Sequence, residues 1–116
     1  NLEIGTNGNK LQVYLDSEKG KDGIKACHAG VKNDTWYHLV LTYDKKRDPQ
    51  AHIFLDGEKV GEWSCWQGNI DNAQDSPVTI GNTHHEETPF QGLMDEIFVY
   101  NRVIGKDEIA ALAASK

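Results

Sequence analysis

Two turn-forming dipeptides, Asn7-Gly8 and Asp56-Gly57, each lie between short runs rich in apolar residues. Asn-Gly and Asp-Gly readily adopt the positive φ angles that a two-residue β-hairpin turn requires. The run at residues 10–15 alternates apolar and polar side chains, as a strand with one buried face does. Further short runs separated by polar turns continue along the chain. The pattern predicts an all-β protein built as an antiparallel sandwich or barrel.

The strongest predicted strand is residues 35–44, which carry apolar side chains on both faces. A strand that is apolar on both sides is usually central and covered by other layers, so we expect Trp36 in the core. Other strands are predicted at residues 2–6, 24–29, 52–55, 59–66, 77–81 and 93–100, the last closing the sheet.

One short helix is predicted at residues 106–114. Asp107 and Glu108 fall in its first turn, where the helix dipole favours acids. Ile109 and Leu112 belong to an apolar stripe at helical spacing, which would lie on the sandwich.

The length of 116 residues fits a single domain at residues 1–116. With 12 basic and 18 acidic side chains the formal net charge is −6, which argues against nucleic-acid binding because phosphates need a basic face. No apolar run approaches the roughly 20 residues of a membrane-spanning helix, so we expect no membrane insertion. The first residue is Asn1 rather than Met, which predicts a segment processed or excised from a larger protein.

Two cysteines, Cys27 and Cys65, are too few for a disulfide scaffold and lack the paired spacing of a zinc site. On the first and last strands of one four-strand meander they would lie about 14 Å apart, beyond the reach of a disulfide. If the chain changes sheets between them, this objection fails. The Cys27–Cys65 disulfide therefore stays open at this point.

Five segments carry a family resemblance in their order and approximate spacing: residues 36–44, 54–57, 80–81, 90–102 and 108–109. The sequence resembles the laminin-G-like group of the concanavalin A-like lectin/glucanase superfamily. The resemblance implies a two-sheet antiparallel jelly-roll sandwich with one short C-terminal helix.

The resemblance is close over residues 36–112 and loose over residues 1–35. Members of the group usually have several further strands on the N-terminal side, which residues 1–116 lack. Without them a sandwich would leave open sheet edges, a hazard that native proteins avoid. We therefore expect the missing strands to be supplied by another chain or by a homo-oligomer.

Catalysis is not expected. Glucanases of the superfamily carry paired carboxylates on one strand with the spacing Glu-x-Asp-x-x-Glu, and this spacing does not occur here. Asp95 and Glu96 are neighbours, so they would point to opposite faces of a strand. The resemblance leaves room for an accessory domain of a glycoside-active enzyme.

Asp95 is the candidate metal ligand. On the predicted closing strand both Asp95 and Glu96 risk burial, and a buried carboxylate must be paired, hydrogen-bonded or metal-bound. One interpretation is that Asp95 accepts backbone or indole N–H bonds while Glu96 pairs with Arg102 or a histidine. The other is a structural calcium ion held by Asp95, because jelly-roll relatives often carry calcium near this strand and oxygen ligands suit calcium.

The candidate ligand-binding residues are Trp66, Asn69, Asp71 and Asp75. An aromatic face can stack on a sugar ring, and the oxygen-rich loop that follows could bond sugar hydroxyls or calcium. An ordinary polar turn is the alternative. Trp63 and Trp66 would lie on opposite faces of a regular strand, so both could line one platform only with a bulge.

Two histidines, His38 and His52, fall on neighbouring predicted strands and could lie close together beside Tyr14 and Tyr43. A histidine satisfied inside the sandwich is the commoner arrangement.

The sequence thus predicts a non-catalytic module that binds a carbohydrate or glycoconjugate, within a larger extracellular or cell-surface protein. Its binding loops would be residues 66–76 and 82–90, at one rim of the sandwich. The alternative is a structural or protein-interaction (adhesion) module that assembles through exposed sheet edges.

Overall fold

The computed structural model describes residues 2–17, 20–64, 78–82 and 89–115. These residues form two three-stranded antiparallel sheets and one short helix. The first sheet consists of β1 (Leu2–Asn7), β2 (Lys10–Ser17) and β3 (Gly20–Gly30). The second consists of β4 (Leu39–Tyr43), β5 (Ala51–Leu55) and β6 (Glu58–Trp63), and the helix α1 spans Lys106–Ala114. The predicted β-sandwich with one C-terminal helix is confirmed.

Both predicted hairpin turns are present. Gly8 takes φ 59° between β1 and β2, and the Asp56-Gly57 turn takes φ 51° and 87° between β5 and β6. The flanking residues pair across each turn, Asn7 with Lys10 and Leu55 with Glu58. These positive φ angles are the reason that glycine stands at both turns.

Strand β6 contains a β-bulge at Val60. Ile53 of β5 lies opposite Gly61, whereas the next residue, Phe54, lies opposite Lys59. Val60 is therefore the extra residue on β6, and it packs against the core between the sheets. A bulge of this kind changes which residues of a strand share a face.

The core between the two sheets is built from Leu11 and Val13 of β2 and Ile53 of β5. Val13 and Ile53 are fully buried. Trp63, at the end of β6, is one of the partly buried side chains that pack against them. The inner faces of two stacked sheets form such a core because alternate side chains of each strand point inward.

A second core lies on the other face of the second sheet. Phe54 follows Ile53 and points to the opposite side, where it packs with Ile104 and with Ile109 of α1. Ile109 is 1% exposed. The second sheet is thus covered by the first sheet on one face and by the helix on the other.

The start of α1 is fixed by Glu108. Its carboxylate accepts a bond of 3.1 Å from the backbone N–H of Gly105 and two bonds of 2.8 Å from the guanidinium of Arg102. These donors, Arg102 first, lower the pKa of Glu108 to about 2 because they stabilise its charged form. The helix bounds match the sequence prediction.

The prediction of a central strand at residues 35–44 is wrong in two respects. The strand begins only at Leu39, and among the described strands β5 is the middle one of its sheet. Trp36 is 58% exposed rather than buried. It lies on the connection between the two sheets, where the Tyr37 hydroxyl accepts a bond from the backbone N–H of Lys32.

The first and second sheets are separate, so the four-strand meander that the sequence suggested is not formed. The chain leaves the first sheet after Gly30 and enters the second at Leu39. Strand β3, which includes Cys27, begins at Gly20 rather than at residue 24 and contacts β6. The change of sheet removes the distance objection to a disulfide with Cys65. Cys65 lies outside the described residues, so the disulfide stays a prediction.

The predicted closing strand at residues 93–100 is not formed, and we call these residues the exposed segment. They pair with no described strand, and every one of them is exposed. Val99 is 95% and Leu93 76% exposed. A strand needs a neighbour for its backbone hydrogen bonds, which apolar composition alone cannot supply. Residues 78–81, predicted as part of another strand, are not a strand either.

Candidate functional site

Polar side chains gather where β4 and β6 end and β5 begins. Tyr43, Ala51 and Trp63 are cross-strand neighbours at this end of the second sheet. We call it the polar end and define it as residues 42–52 and 62–64. The loop that the sequence predicts to contact a sugar begins directly after it.

Asp44 organises the turn from β4 to β5. One carboxylate oxygen accepts a bond of 2.9 Å from the backbone N–H of Lys46, and the other lies 3.2 Å from Nε of Arg47. The backbone N–H of Asp44 donates to the carbonyl of Gln50 over 2.9 Å. Local bonds of this kind hold a turn in one conformation.

Ser64 connects the end of β6 to this turn. Its hydroxyl donates a hydrogen bond to the carboxylate of Asp48. The last described residue before the predicted binding loop is therefore fastened to the turn between β4 and β5. This contact positions the start of the loop against the polar end.

Thr42, His52 and Glu62 form a row across the three strands of the second sheet. Nε2 of His52 lies 3.5 Å from the Glu62 carboxylate, and the Lys59 ammonium forms an ion pair with the same carboxylate. We call His52, Lys59 and Glu62 the charged triad. Lys59 and Glu62 share a face because the bulge at Val60 lies between them; in a regular strand, residues three apart face opposite ways.

The charged triad is partly open to solvent. The side chains of His52, Lys59 and Glu62 are 23%, 47% and 43% exposed. The hydrogen bond from Lys59 lowers the pKa of Glu62 by stabilising the carboxylate. The triad therefore offers a carboxylate acceptor beside imidazole and ammonium groups, which can bond a polar ligand from one side.

The two histidines do not meet. His52 lies opposite Thr42, whereas His38 precedes β4 at the other end of the sheet. Four residues of strand separate these positions, about 13 Å. There His38 and Asp56 exchange bonds: the His38 N–H donates to the Asp56 carboxylate and the Asp56 N–H to the His38 carbonyl, each over 2.8 Å. The suggested proximity of His38 and His52 is wrong.

The four candidate ligand-binding residues, Trp66, Asn69, Asp71 and Asp75, lie outside the described residues. Of the second predicted binding loop, residues 82, 89 and 90 are described. The backbone N–H of Phe90 donates to the carbonyl of Gly81 over 2.6 Å, which brings the two ends of this loop together.

Asp95 and Glu96 are both exposed, so the expected burial of these acids is wrong. One carboxylate oxygen of Asp95 accepts a bond of 2.8 Å from the backbone N–H of Glu96. The expected pair of Glu96 with Arg102 is also not formed, because Arg102 pairs with Glu108. Within the described ranges no group of three His, Cys, Asp or Glu side chains could hold a metal ion. Calcium at Asp95 remains a prediction.

Sequence reasoning missed the charged triad because of the bulge. A regular hairpin after the Asp56-Gly57 turn would place His52 opposite Gly61 and send Glu62 to the other face. The bulge moves Glu62 opposite His52. Gly61 inside a strand is the signal that could have shown it, since glycine there often marks a bulge.

Comparisons with known proteins follow from this architecture. A laminin G family model, described as the concanavalin A-like lectin/glucanases superfamily, matches residues 1–110. A search of curated proteins found no match. Among solved structures, the chain is similar to the crystal structure of an S-layer domain-containing protein from Clostridium thermocellum, with a TM-score of 0.59 and 17% identity.

That structural match covers 97% of this chain and 55% of the other, so this chain spans about half the length of the similar structure. At this identity the likeness concerns the fold alone. Within the described residues, no helix has the length and apolar character needed to cross a membrane.

Proposed function

The chain belongs to the laminin-G-like group of the concanavalin A-like lectin/glucanase superfamily, and on that premise we propose that it is a non-catalytic module that binds a carbohydrate or glycoconjugate. Domains of this group are generally non-catalytic. Because one fold hosts many unrelated sites, the ligand class must be argued from the site itself.

The charged triad is the observation that carries the proposal. A sugar presents hydroxyl groups that both donate and accept hydrogen bonds. The Glu62 carboxylate can accept from a hydroxyl, and the ammonium of Lys59 can donate to one. Bonds to charged groups are stronger than neutral ones, and partial exposure leaves the triad accessible.

Trp66, Asn69, Asp71 and Asp75 are proposed to complete the site. They follow Ser64, which the Asp48 carboxylate holds against the polar end. An aromatic face supplies apolar area for a sugar ring next to polar groups that fix its orientation. We place a structural calcium ion, with Asp95 as a ligand, in the same proposal. The S-layer neighbour supports a cell-surface or extracellular location.

A glycan array tests this proposal. The chain is applied with calcium and then with a chelator, together with Trp66→Ala and Glu62→Gln. We expect both substitutions to weaken binding of the same glycans by about tenfold or more, the effect of losing one charge-assisted bond or one stacking face. Loss of binding in the chelator would support the calcium ion.

Glu58→Gln is the matched control. Glu58 is an exposed glutamate on the same strand, at the opposite end from Glu62. Its substitution should leave glycan binding unchanged. No binding to any glycan on the array, or equal losses for Glu58→Gln and Glu62→Gln, would contradict the proposal.

A structural or protein-interaction module is the second candidate. The exposed segment favours it, because large exposed apolar patches mark interaction surfaces. The S-layer neighbour is consistent with assembly at a cell surface. Solution mass as a function of concentration, measured alongside the array, separates the two candidates: a concentration-dependent oligomer with no glycan binding would favour assembly.

A further inference from the structure

The exposed segment and the residues just after it carry a regular pattern on one face. The Phe98 and Tyr100 rings lie 6.4 Å apart between centroids, and the Arg102 guanidinium lies 5.6 Å from the centroid of the Tyr100 ring. Phe98, Tyr100 and Arg102 therefore share one side of the extended chain, as residues two apart in a strand do. Glu96 precedes Phe98 by the same step.

This row reads acid, aromatic, aromatic, base, which makes it complementary to its own reverse. Two identical strands can pair antiparallel about a two-fold axis with a residue opposite its own copy. If Val99 lies opposite Val99 of a second copy, then Phe98 lies opposite Tyr100 and Glu96 opposite Arg102. Both aromatic pairs and both opposite-charge pairs then form at once, and such cross-strand pairs stabilise antiparallel sheets.

The charges distinguish this register from others. With Ile97 opposite its own copy, Glu96 would lie opposite Phe98, and with Phe98 opposite its own copy, Glu96 would lie opposite Tyr100. Only the Val99 register of these three brings Glu96 to Arg102. The Arg102 guanidinium has five N–H donors, and those of its two terminal nitrogens that bond Glu108 leave others for a second carboxylate.

The apolar area suits a dimer. Phe90, Phe98 and Tyr100 are 49%, 63% and 43% exposed. At about 200 Å² for each aromatic side chain they expose roughly 300 Å². Leu93, Met94, Ile97 and Val99 are also exposed, by 47% to 95%. The total exceeds the roughly 300–600 Å² of the largest patch on a typical monomer and approaches the roughly 800 Å² per partner of a stable interface.

The backbone at Glu96 points the same way. Glu96 takes φ 50°, a left-handed conformation that is unfavourable for a residue with a side chain. Pairing with a neighbouring strand would draw this residue into the extended region and remove that strain. The segment then gains backbone partners, apolar contacts and relaxed geometry in one step.

We propose that residues 96–102 of two copies of this chain pair as antiparallel strands about a two-fold axis at Val99. This proposal rests on the assembly candidate given above and names its partner, a second copy. It is independent of glycan binding, which uses the polar end.

Disulfide trapping tests the register. Val99→Cys places a thiol directly opposite its own copy, where paired Cβ atoms lie about 4.5–5.5 Å apart, close enough for a disulfide. Val78→Cys is the matched control, because Val78 is 94% and Val99 95% exposed and neither substitution disturbs the core. Both variants are oxidised under the same mild conditions and compared with the parent chain, which contains Cys27 and Cys65.

We expect the parent chain to dimerise with rising concentration in sedimentation equilibrium, and Val99→Cys to give a cross-linked dimer in excess of parent and Val78→Cys. Glu96→Arg should weaken the dimer about tenfold, since two attractive pairs become repulsive. Glu58→Arg, with the same change of charge on β6, should not. Hydrogen exchange should show backbone protection of residues 96–102 at high concentration.

Three results would overturn the proposal. A chain that stays monomeric at all concentrations would refute both the two-fold pair and the assembly candidate. A dimer in which Val99→Cys cross-links no better than Val78→Cys would refute the pairing of this segment and leave assembly through another surface. Protection of residues 96–102 in a monomer would show that the segment pairs within its own chain. Glycan binding would be unaffected by any of these outcomes.

Discussion

Helix α1 and the exposed segment are both apolar, yet they have opposite fates. Ile109 on the helix is 1% exposed, whereas Ile97 in the segment is 54% exposed. The helix packs on Phe54 and Ile104, and the segment pairs with no described strand. The same residue type is thus a core element in one region and a surface element in the other.

The difference lies in what each conformation needs. A helix satisfies its own backbone hydrogen bonds and requires only an apolar surface for its stripe. A strand requires a neighbouring strand for its backbone groups as well as an apolar surface. The second sheet offers its outer face to the helix, while the exposed segment has neither requirement met within the described residues.

The largest expected effect comes from the buried isoleucine. Ile109→Ala should lower the free energy of unfolding by about 2–4 kcal/mol, because it removes buried methylene groups and leaves a cavity beside Phe54. Urea denaturation of the isolated chain measures this. Ile97→Ala is the matched control and should change stability by less than about 0.5 kcal/mol when the chain is monomeric. Equal losses at the two isoleucines would abolish the distinction between the regions.

A smaller effect is expected where the helix meets the turn between β5 and β6. Gly57 takes φ 87°, and a Cβ there would lie 3.4 Å from Cβ of Ala113 on α1. Gly57→Ala should therefore lower stability by about 1–2 kcal/mol through the left-handed backbone. Gly8→Ala also has positive φ but open space around it, so a loss at Gly57 that exceeds the loss at Gly8 would measure the contact with the helix.

The smallest effect is the pH dependence of the helix start. The pKa of Glu108 is lowered from 4.5 to about 2 in the folded chain, so its stabilising contribution is complete above pH 4.5 and is lost as the pH falls towards 2. Glu108→Gln should remove this part of the decline in stability, as measured by denaturation at a series of acid pH values. If the wild-type and Glu108→Gln profiles run parallel between pH 4.5 and 2, the Arg102–Glu108 pair does not stabilise the docked helix.

Local signals allowed much of the fold to be predicted. The hairpins at Gly8 and Gly57 follow from glycine's access to positive φ, and the bounds of α1 follow from its acids and apolar stripe. The position of each strand in its sheet depends on distant partners that no local pattern encodes. Trp36 was therefore wrongly assigned to the core, and residues 93–100 were wrongly assigned to a closing strand.

The candidate site was less predictable for the same reason. His52 and Glu62 meet because of a register shift, and a sequence read with regular strand periodicity puts them on different faces. The charge of Glu62 and the turn chemistry of Asp44 were visible in the sequence, but their neighbours were not. The loop from Trp66 to Asp75 stays a prediction.

The extra residue in β6 also governs how this strand can be modified. Before Val60 the odd-numbered Lys59 faces the helix side of the sheet, and after it the even-numbered Glu62 does so. A fluorophore or affinity tag intended for that surface must therefore be attached by a different counting rule on each side of Val60. Deleting this single residue would rotate one half of the strand relative to the other, and Lys59 and Glu62 would then be carried to opposite surfaces.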